Sequence, residues 1–320
     1  MITVVGEALV DLIGVAPAPV TARPGGSPAN VAVALARLGH PTTLLTQLGA
    51  DEHGRMLLAH LRANDVRLDP RSVRDLARTS VARTVLDPAG QASYDFSVEW
   101  RSFAASGDDS VPVGSCLHTG SLAAVLAPGA DDVSALLRQA RGSATISFDP
   151  NCRPSLMGDR AQARRRIETL VGLSDVVKVS VEDLAWLHPG LAHEQAARSW
   201  LARGAGLVVV TLGERGAWAC TGRYEVSVPA HPVTVVDTIG AGDAFTAGML
   251  SALAGADLLG AERRSALAAA DRATLAAVLE HAATVAARTC ARRGADPPTR
   301  AELAASGSGE PSAAAPGTGC

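Results

Sequence analysis

The segment VTVVDTIGAGDAFTAGML, Val233 to Leu250, passes from an apolar β-branched stretch through Asp237 and Thr238 into Gly240-Ala241-Gly242-Asp243, then into an Ala-rich stretch of helical character. Strand, glycine turn and helix start together make an anion site. The amides of such a turn and of the first helical turn have no intrahelical acceptor and point at whatever lies beyond them, which suits a phosphate. What is unusual is an acid in that positive end. The helix field and the amide donors both favour the charged form of Asp243, although a nearby phosphate opposes this. A carboxylate there is a ready base: it can take the proton of a hydroxyl while the amides stabilise negative charge on a transferred phosphoryl group. The competing reading makes Asp243 a plain helix cap, a common use of Asp.

Other nucleotide and metal motifs do not fit. The only lysine, Lys178, sits between Val177 and Val179, so GxxxxGK[ST] is impossible. GAGDAF places Phe245 where a dinucleotide fingerprint wants its third glycine. HEQAA at His193 lacks the second histidine of a zincin.

Near the other end, PGGSPANVAVALARLG (Pro24 to Gly39) reads as two glycines, Ser27 as N-cap, Pro28 at the first helical position, an Ala/Val helix and Gly39 as its stop. Capping does not account for the paired Gly25 and Gly26 or for Asn30 in the first turn. A close backbone approach by a ligand, with Asn30 offering donor and acceptor to hydroxyls, accounts for both. Asp11, near the end of the first strand, is a further carboxylate for sugar hydroxyls or else a surface charge.

Around these segments short β-branched runs alternate with Ala/Leu/Arg stretches of helical period, the pattern of a mostly parallel sheet covered by helices on both faces. Strands are expected at Ile2 to Ile13, Thr42 to Leu48, Ala144 to Phe148, Val176 to Val179 and Leu207 to Leu212, with helices such as Val31 to Leu38 and Arg160 to Leu170 between them. Two regions break the rhythm: the Pro-rich Val15 to Arg23, and Thr79 to Trp100, which reads as two strands joined at Asp87-Pro88-Ala89-Gly90. They suggest either a small sheet outside the main one, acting as a lid, or an edge hairpin of the main sheet. Trp218 to Val228, turning at Thr221-Gly222, reads as a hairpin near the sheet edge.

The 320 residues carry 29 Lys+Arg against 32 Asp+Glu, a net charge of -3, which offers no basic excess for a nucleic-acid backbone or an anionic membrane. Five scattered cysteines without a CxxC pair suggest neither a disulfide framework nor a zinc site. The amino-terminal run contains Glu7 and Asp11 and reads as a strand of a cytoplasmic protein rather than a signal or a membrane span. Of the 29 cations a single one is lysine; a compact ammonium where guanidinium is otherwise the rule marks a place that needs a point charge, or merely a codon bias.

The chain resembles the ribokinase-like, or PfkB-type, carbohydrate kinases, whose two signatures look like GGSPANVAVALARLG and DTIGAGDAFTAG. FDPNCR (Phe148 to Arg153), VVKVSVEDL (Val176 to Leu184) and VVVTLGERGA (Val208 to Ala217) lie between them in the family's order. The resemblance implies a three-layer α/β/α sandwich with a small β-sheet lid: a kinase domain over 1–300 with lid strands near 11–23 and 79–100, and a disordered tail over 301–320. It implies Asp243 as catalytic base and Gly240, Ala241 and Gly242 as the anion hole. Asp11, Gly25, Gly26 and Asn30 fall on sugar-binding positions, with Arg153 near substrate or phosphates. Lys178, Ser180, Thr211, Gly213 and Gly216 fall near the nucleotide. Similar kinases use ATP with magnesium, many respond to potassium, and many are homodimers.

Where many relatives have an NxxE motif that organises magnesium through water, this chain has Ser180 and Asp183, with Glu182 adjacent; the resemblance implies Asp183, acting through water, as the metal carboxylate, with Glu182 the alternative. Ala283 replaces the Asn that many relatives carry in the adenine segment. LHTGSLA (Leu117 to Ala123), FDPNCR and KVS look most like fructokinases, so fructose or a similar ketose is the expected substrate, recognised by lid residues such as Arg83, Tyr94 and Phe96. Ribose, 2-keto-3-deoxygluconate, a sugar phosphate or a nucleoside are the alternatives, as is a sensor that binds without turnover.

Overall fold

A computed structural model describes residues 1–14, 20–86, 92–103 and 114–307. Its centre is a nine-stranded sheet in the order Glu225–Val228, Ala217–Cys220, Leu207–Thr211, Val176–Ser180, Thr145–Asp149, Cys116–Gly120, Ile2–Val5, Thr42–Leu45, Arg67–Leu68. The first two strands form the expected antiparallel hairpin at one edge, and the remainder run parallel. Parallel strands need crossovers, and helices cover both faces, so the strands are apolar on both sides. In the strand Leu207–Thr211, for example, Val208 and Val210 enter one core with Trp200, Phe148 and Leu137, while Leu207 and Val209 enter the other with Leu250 and Phe245. Two cores flank one sheet, which is the three-layer sandwich.

A second, four-stranded sheet stands apart, in the order Thr21–Gly25, Leu9–Ile13, Val81–Leu86, Ala92–Ser97. The odd hairpin is therefore part of a separate sheet and not an edge of the main one; its Asp87-Pro88-Ala89-Gly90 turn lies outside the described residues. Ile2 to Ile13, expected as one strand, divides: Ile2–Val5 pairs in the main sheet and Leu9–Ile13 in the small one. The break falls at Gly6, where a Cβ would lie 2.2 Å from the Pro28 ring. Thr42 to Leu48 divides likewise, Gln47–Gly49 leaving to pair with Val73–Leu76.

Two further expectations change. Val233 to Asp237 is not a strand but an irregular approach to the glycine turn, with Val235 59% and Val236 52% exposed. The first part of the stretch expected to be disordered is ordered: Arg300–Gly307 is helical and anchored, with Arg300 Nε donating to the Leu38 carbonyl at 2.8 Å and Arg292 bonding Glu302 at 2.6 Å. Residues 308–320 lie outside the described residues.

Candidate active site

The carboxyl ends of the parallel strands, the glycine turn and the small sheet together enclose a cleft of about 460 Å³. The helix Ala241–Gly255 begins there, with Gly240 as its N-cap at φ 76°. Only glycine serves at that position, because the conformation is left-handed and a Cβ would lie 2.6 Å from the Ala295 methyl. Asp243 is the third helical residue and makes no cap. Its two oxygens instead accept from Ser27 Oγ at 2.7 Å and Asn30 Nδ2 at 2.8 Å, on the first turn of the helix Ser27–Arg37. Ser27 is thus not an N-cap; Gly26 holds that place, and the serine hydroxyl reaches across the cleft wall to the acid.

The glycine pair also has another cause than the one expected. Gly25 pairs with Leu9, and a Cβ on it would lie 2.2 Å from Asp11 Oδ2; Gly26 has φ 96° and would meet the Glu7 carbonyl at 2.6 Å. Chain packing by itself already requires both. Gly25 makes room for Asp11, and Asp11 and Gly26 then line the cleft with Asn30.

Burial pushes the Asp243 carboxyl above its ordinary range; the Ser27 and Asn30 hydrogen bonds and the Lys178 ammonium oppose the rise, and Asp149 adds to it. The helix field alone does not hold this acid low, contrary to the sequence expectation. A raised carboxylate is a stronger proton acceptor than an ordinary aspartate. Across the cleft, burial and the Asp243 charge push Asp11 up to about 6, Arg153 opposing.

Lys178 is buried and donates to Asp149 Oδ2 at 2.8 Å. Burial disfavours its charge, yet Asp149, Asp243 and Asp183 outweigh that cost and hold the ammonium above its usual range. Arg153 lines the cleft and ties its own turn, with Nη1 donating to Asn151 Oδ1 at 2.8 Å; Asn151 has φ 38°. Asp183 lies at the rim of this cluster. Its amide donates to Ser180 Oγ at 3.0 Å, its Oδ1 accepts from Cys152 N at 3.1 Å, and burial beside Asp149 raises it to about 6.

The structure thus brings Asp11, Gly26, Asn30, Arg153, Lys178, Gly240, Gly242 and Asp243 around one cleft. Gly25 and Ala241 stand directly behind it in the chain. Ser180, Asp183, Thr211, Gly213 and Gly216 do not line it. Ser180 and Thr211 are register partners at the next strand ends, and Gly216 is a packing glycine whose Cβ would meet the Val228 carbonyl at 2.1 Å. Of the lid residues, Phe96 lines the cleft opposite its register partner Ala82, whereas Arg83, one position on, is exposed, as strand alternation requires. The Tyr94 side chain lies outside the described residues.

Sequence reasoning missed three contributors. Glu7, 3% exposed in the cleft wall, accepts from Ala123 N at 3.0 Å and is pushed to about 7 by burial. Ser27 was spent on a cap. Asp149 lies within FDPNCR, where nothing local marks it; the lone lysine that it holds is the one hint of it in the sequence.

A carbohydrate-kinase family model, described as pfkB family carbohydrate kinase, matches residues 1–301. The chain belongs to that family. This kinase is 37% identical over 268 residues to a fructokinase of Rhizobium leguminosarum bv. trifolii, covering 79% of each chain. Its fold matches a fructokinase of Xylella fastidiosa with bound ATP at a TM-score of 0.82, with 30% identity over 95% of this kinase and 97% of that chain. It also matches a double mutant of the Vibrio cholerae O395 fructokinase in its fructose-, ADP- and potassium-bound form, at a TM-score of 0.79 and 30% identity, over 95% and 98% of the two chains. Among the described residues no group of three or more His, Cys, Asp or Glu converges as a metal cage, and no helix is long and apolar enough to cross a membrane.

Proposed function

We propose that this kinase transfers the γ-phosphoryl group of ATP to a hydroxyl of fructose or a similar ketose, with Asp243 as the general base. The observation that carries the reading is the placement of Asp243: a buried acid on the first turn of a helix, oriented by Ser27 and Asn30, in one cleft with Asp11. Asp11 accepts hydroxyl protons of the sugar. Asn30, with one donor spent on Asp243, presents its carbonyl oxygen to another hydroxyl. The sugar hydroxyl facing Asp243 loses its proton to that carboxylate as the oxygen attacks phosphorus in line.

The amides of Gly242 and Asp243, in the first turn of the helix, meet the charge that builds on the equatorial oxygens, and Lys178 adds a fixed positive charge beside them. Magnesium on the phosphates supplies further charge neutralisation when bound. A divalent ion of that kind needs only one or two protein carboxylates besides the phosphates, which agrees with a single acid, Asp183, standing beside the Lys178–Asp149 pair without forming a cage. The small sheet acts as the lid: Ala82 and Phe96 present an apolar face to the cleft, excluding water that would otherwise compete with the sugar. A potassium response and a homodimer are expected by likeness to the family.

The test is an ADP-release assay over a panel of fructose, ribose, 2-keto-3-deoxygluconate, fructose 6-phosphate and adenosine, in potassium and in tetramethylammonium salts. Fructose is expected to give the highest kcat/KM. A nucleoside or sugar phosphate preferred tenfold or more over fructose overturns the substrate reading, and binding without ADP release from any of them overturns the kinase reading.

A further inference from the structure

A buried ion pair stands behind the glycine turn, and three observations define its geometry. Lys178 Nζ lies 2.8 Å from Asp149 Oδ2, with the side chains 6% and 2% exposed. A methyl group on Gly242 would come within 3.1 Å of that same Nζ, so the ammonium sits directly against the anion turn. Thr246, one turn on from Gly242, donates to the Gly242 carbonyl at 3.0 Å and lies 3.5 Å from Asp149 Oδ2, tying the pair to the helix that carries Asp243.

We propose that Asp149 is a positioning residue for the sole lysine of the chain, fixing a compact ammonium against Gly242 where the phosphoryl group in transfer must pass. This rests on the kinase reading and deepens it. The chain otherwise uses arginine for every cation. With Nζ 2.8 Å from Asp149 Oδ2 and 3.1 Å from where a methyl on Gly242 would stand, an ammonium fits as a point charge, and a planar guanidinium reaching the same carboxylate would have to press on the turn. Asp149 is itself held: Asn151 N donates to its Oδ1 at 3.2 Å, so the charge that orients Lys178 does not swing.

Both partners also act on the base through space, with opposite sign. Lys178 favours the ionised Asp243, and Asp149 disfavours it. The other charged groups that face this cluster are Asp11 on the small sheet, Arg153 after the strand Thr145–Asp149, and Asp183 on the helix Val181–Leu187. His118, on the strand Cys116–Gly120, is pushed down to about 4 by burial and stays neutral.

The experiment compares Asp149→Asn, Lys178→Arg and the double variant Asp149→Leu/Lys178→Met with wild type, by kinetics and by NMR titration of the Asp243 carboxyl in the ligand-free protein, Lys178→Met being added for the titration. Lys178→Arg keeps the charge and is expected to lose on the order of 10–100-fold in kcat. Asp149→Asn is expected to lose on the order of 10–100-fold in kcat with KM for fructose within threefold. The apolar double variant replaces a buried pair by groups of similar volume, which proteins tolerate well, and is expected to fold yet remain on the order of 100-fold slower. The Asp243 titration should move to lower pH in Asp149→Asn and to higher pH in Lys178→Met. A Lys178→Arg enzyme within threefold of wild type, a double variant of near-normal kcat, or titrations that shift in the same direction would overturn the proposal. Because the titration needs no turnover, failure of the kinase reading in the sugar panel is distinguished from failure here.

Discussion

Asn30 Nδ2 donates to Asp243 Oδ2 at 2.8 Å, a hydrogen bond that spans 213 positions of sequence and joins the first turns of two helices. Ser27 supplies the second oxygen's partner from the same turn. The two signature segments therefore meet at one carboxylate, and the acid is aimed before any substrate arrives.

Removing one of those donors should be legible in the pH dependence. Both bonds favour the ionised acid, and burial pushes it toward the neutral form. In Ser27→Ala the carboxyl rises further, so activity on the acid side is lost at a higher pH than in wild type. The pH profile of kcat/KM checks this, with a stability cost of about 1 kcal/mol for one hydrogen bond. An acid limb that stays in place would show that Ser27 does not act on the base.

Gly25→Ala places a methyl group 2.2 Å from the present position of Asp11 Oδ2, so the carboxylate must move. The consequence is specific to the sugar: KM for fructose is expected to rise about tenfold, equivalent to about 1.4 kcal/mol, while KM for ATP stays within twofold. Initial-rate kinetics with each substrate varied in turn measure the split.

Glu7 makes the ligand-free protein less stable as pH rises. Its carboxyl is raised from 4.5 to about 7 in the folded state, chiefly by burial, so the folded chain holds a proton that the unfolded chain releases. Stability from this group is therefore undiminished below about pH 4.5, falls between there and pH 7, and is flat above; the full range is on the order of 3 kcal/mol. Glu7→Gln keeps an acceptor for Ala123 N and cannot ionise. Urea denaturation at pH 5 and pH 8 should show a smaller loss between the two in the variant than in wild type.

How much of this the sequence carried follows from the range of the forces involved. The layered architecture was legible because burial on both faces of a parallel strand writes continuous apolar runs such as LVVVT. The glycine turn and Asp243 were legible because a helix start needs local residues only. Ser27 was misread for the same reason: cap chemistry is local, whereas its real acceptor lies 216 positions away. Gly25 and Gly26 looked like ligand glycines, since nothing in the sequence says that Asp11 and Glu7 come to lie against them. Val233 to Asp237 looked like a strand from its β-branched residues, but the Val236 and Asp237 amides both donate to the Cys290 carbonyl at a helix end and not to a neighbouring strand. Arg83 looked like a lid contact until strand register turned it outward beside Ala82.

The central claim is that Asp243 removes the proton from the attacking hydroxyl. Asp243→Asn is nearly isosteric and keeps oxygen and nitrogen atoms at the positions that meet Ser27 and Asn30. Single-turnover transfer from ATP to fructose, measured alongside calorimetric binding of both, is the direct test. The variant is expected to bind each ligand within about threefold of wild type and to transfer on the order of 10²–10⁴ times more slowly. Transfer within a few-fold of wild type would contradict the assignment of the base.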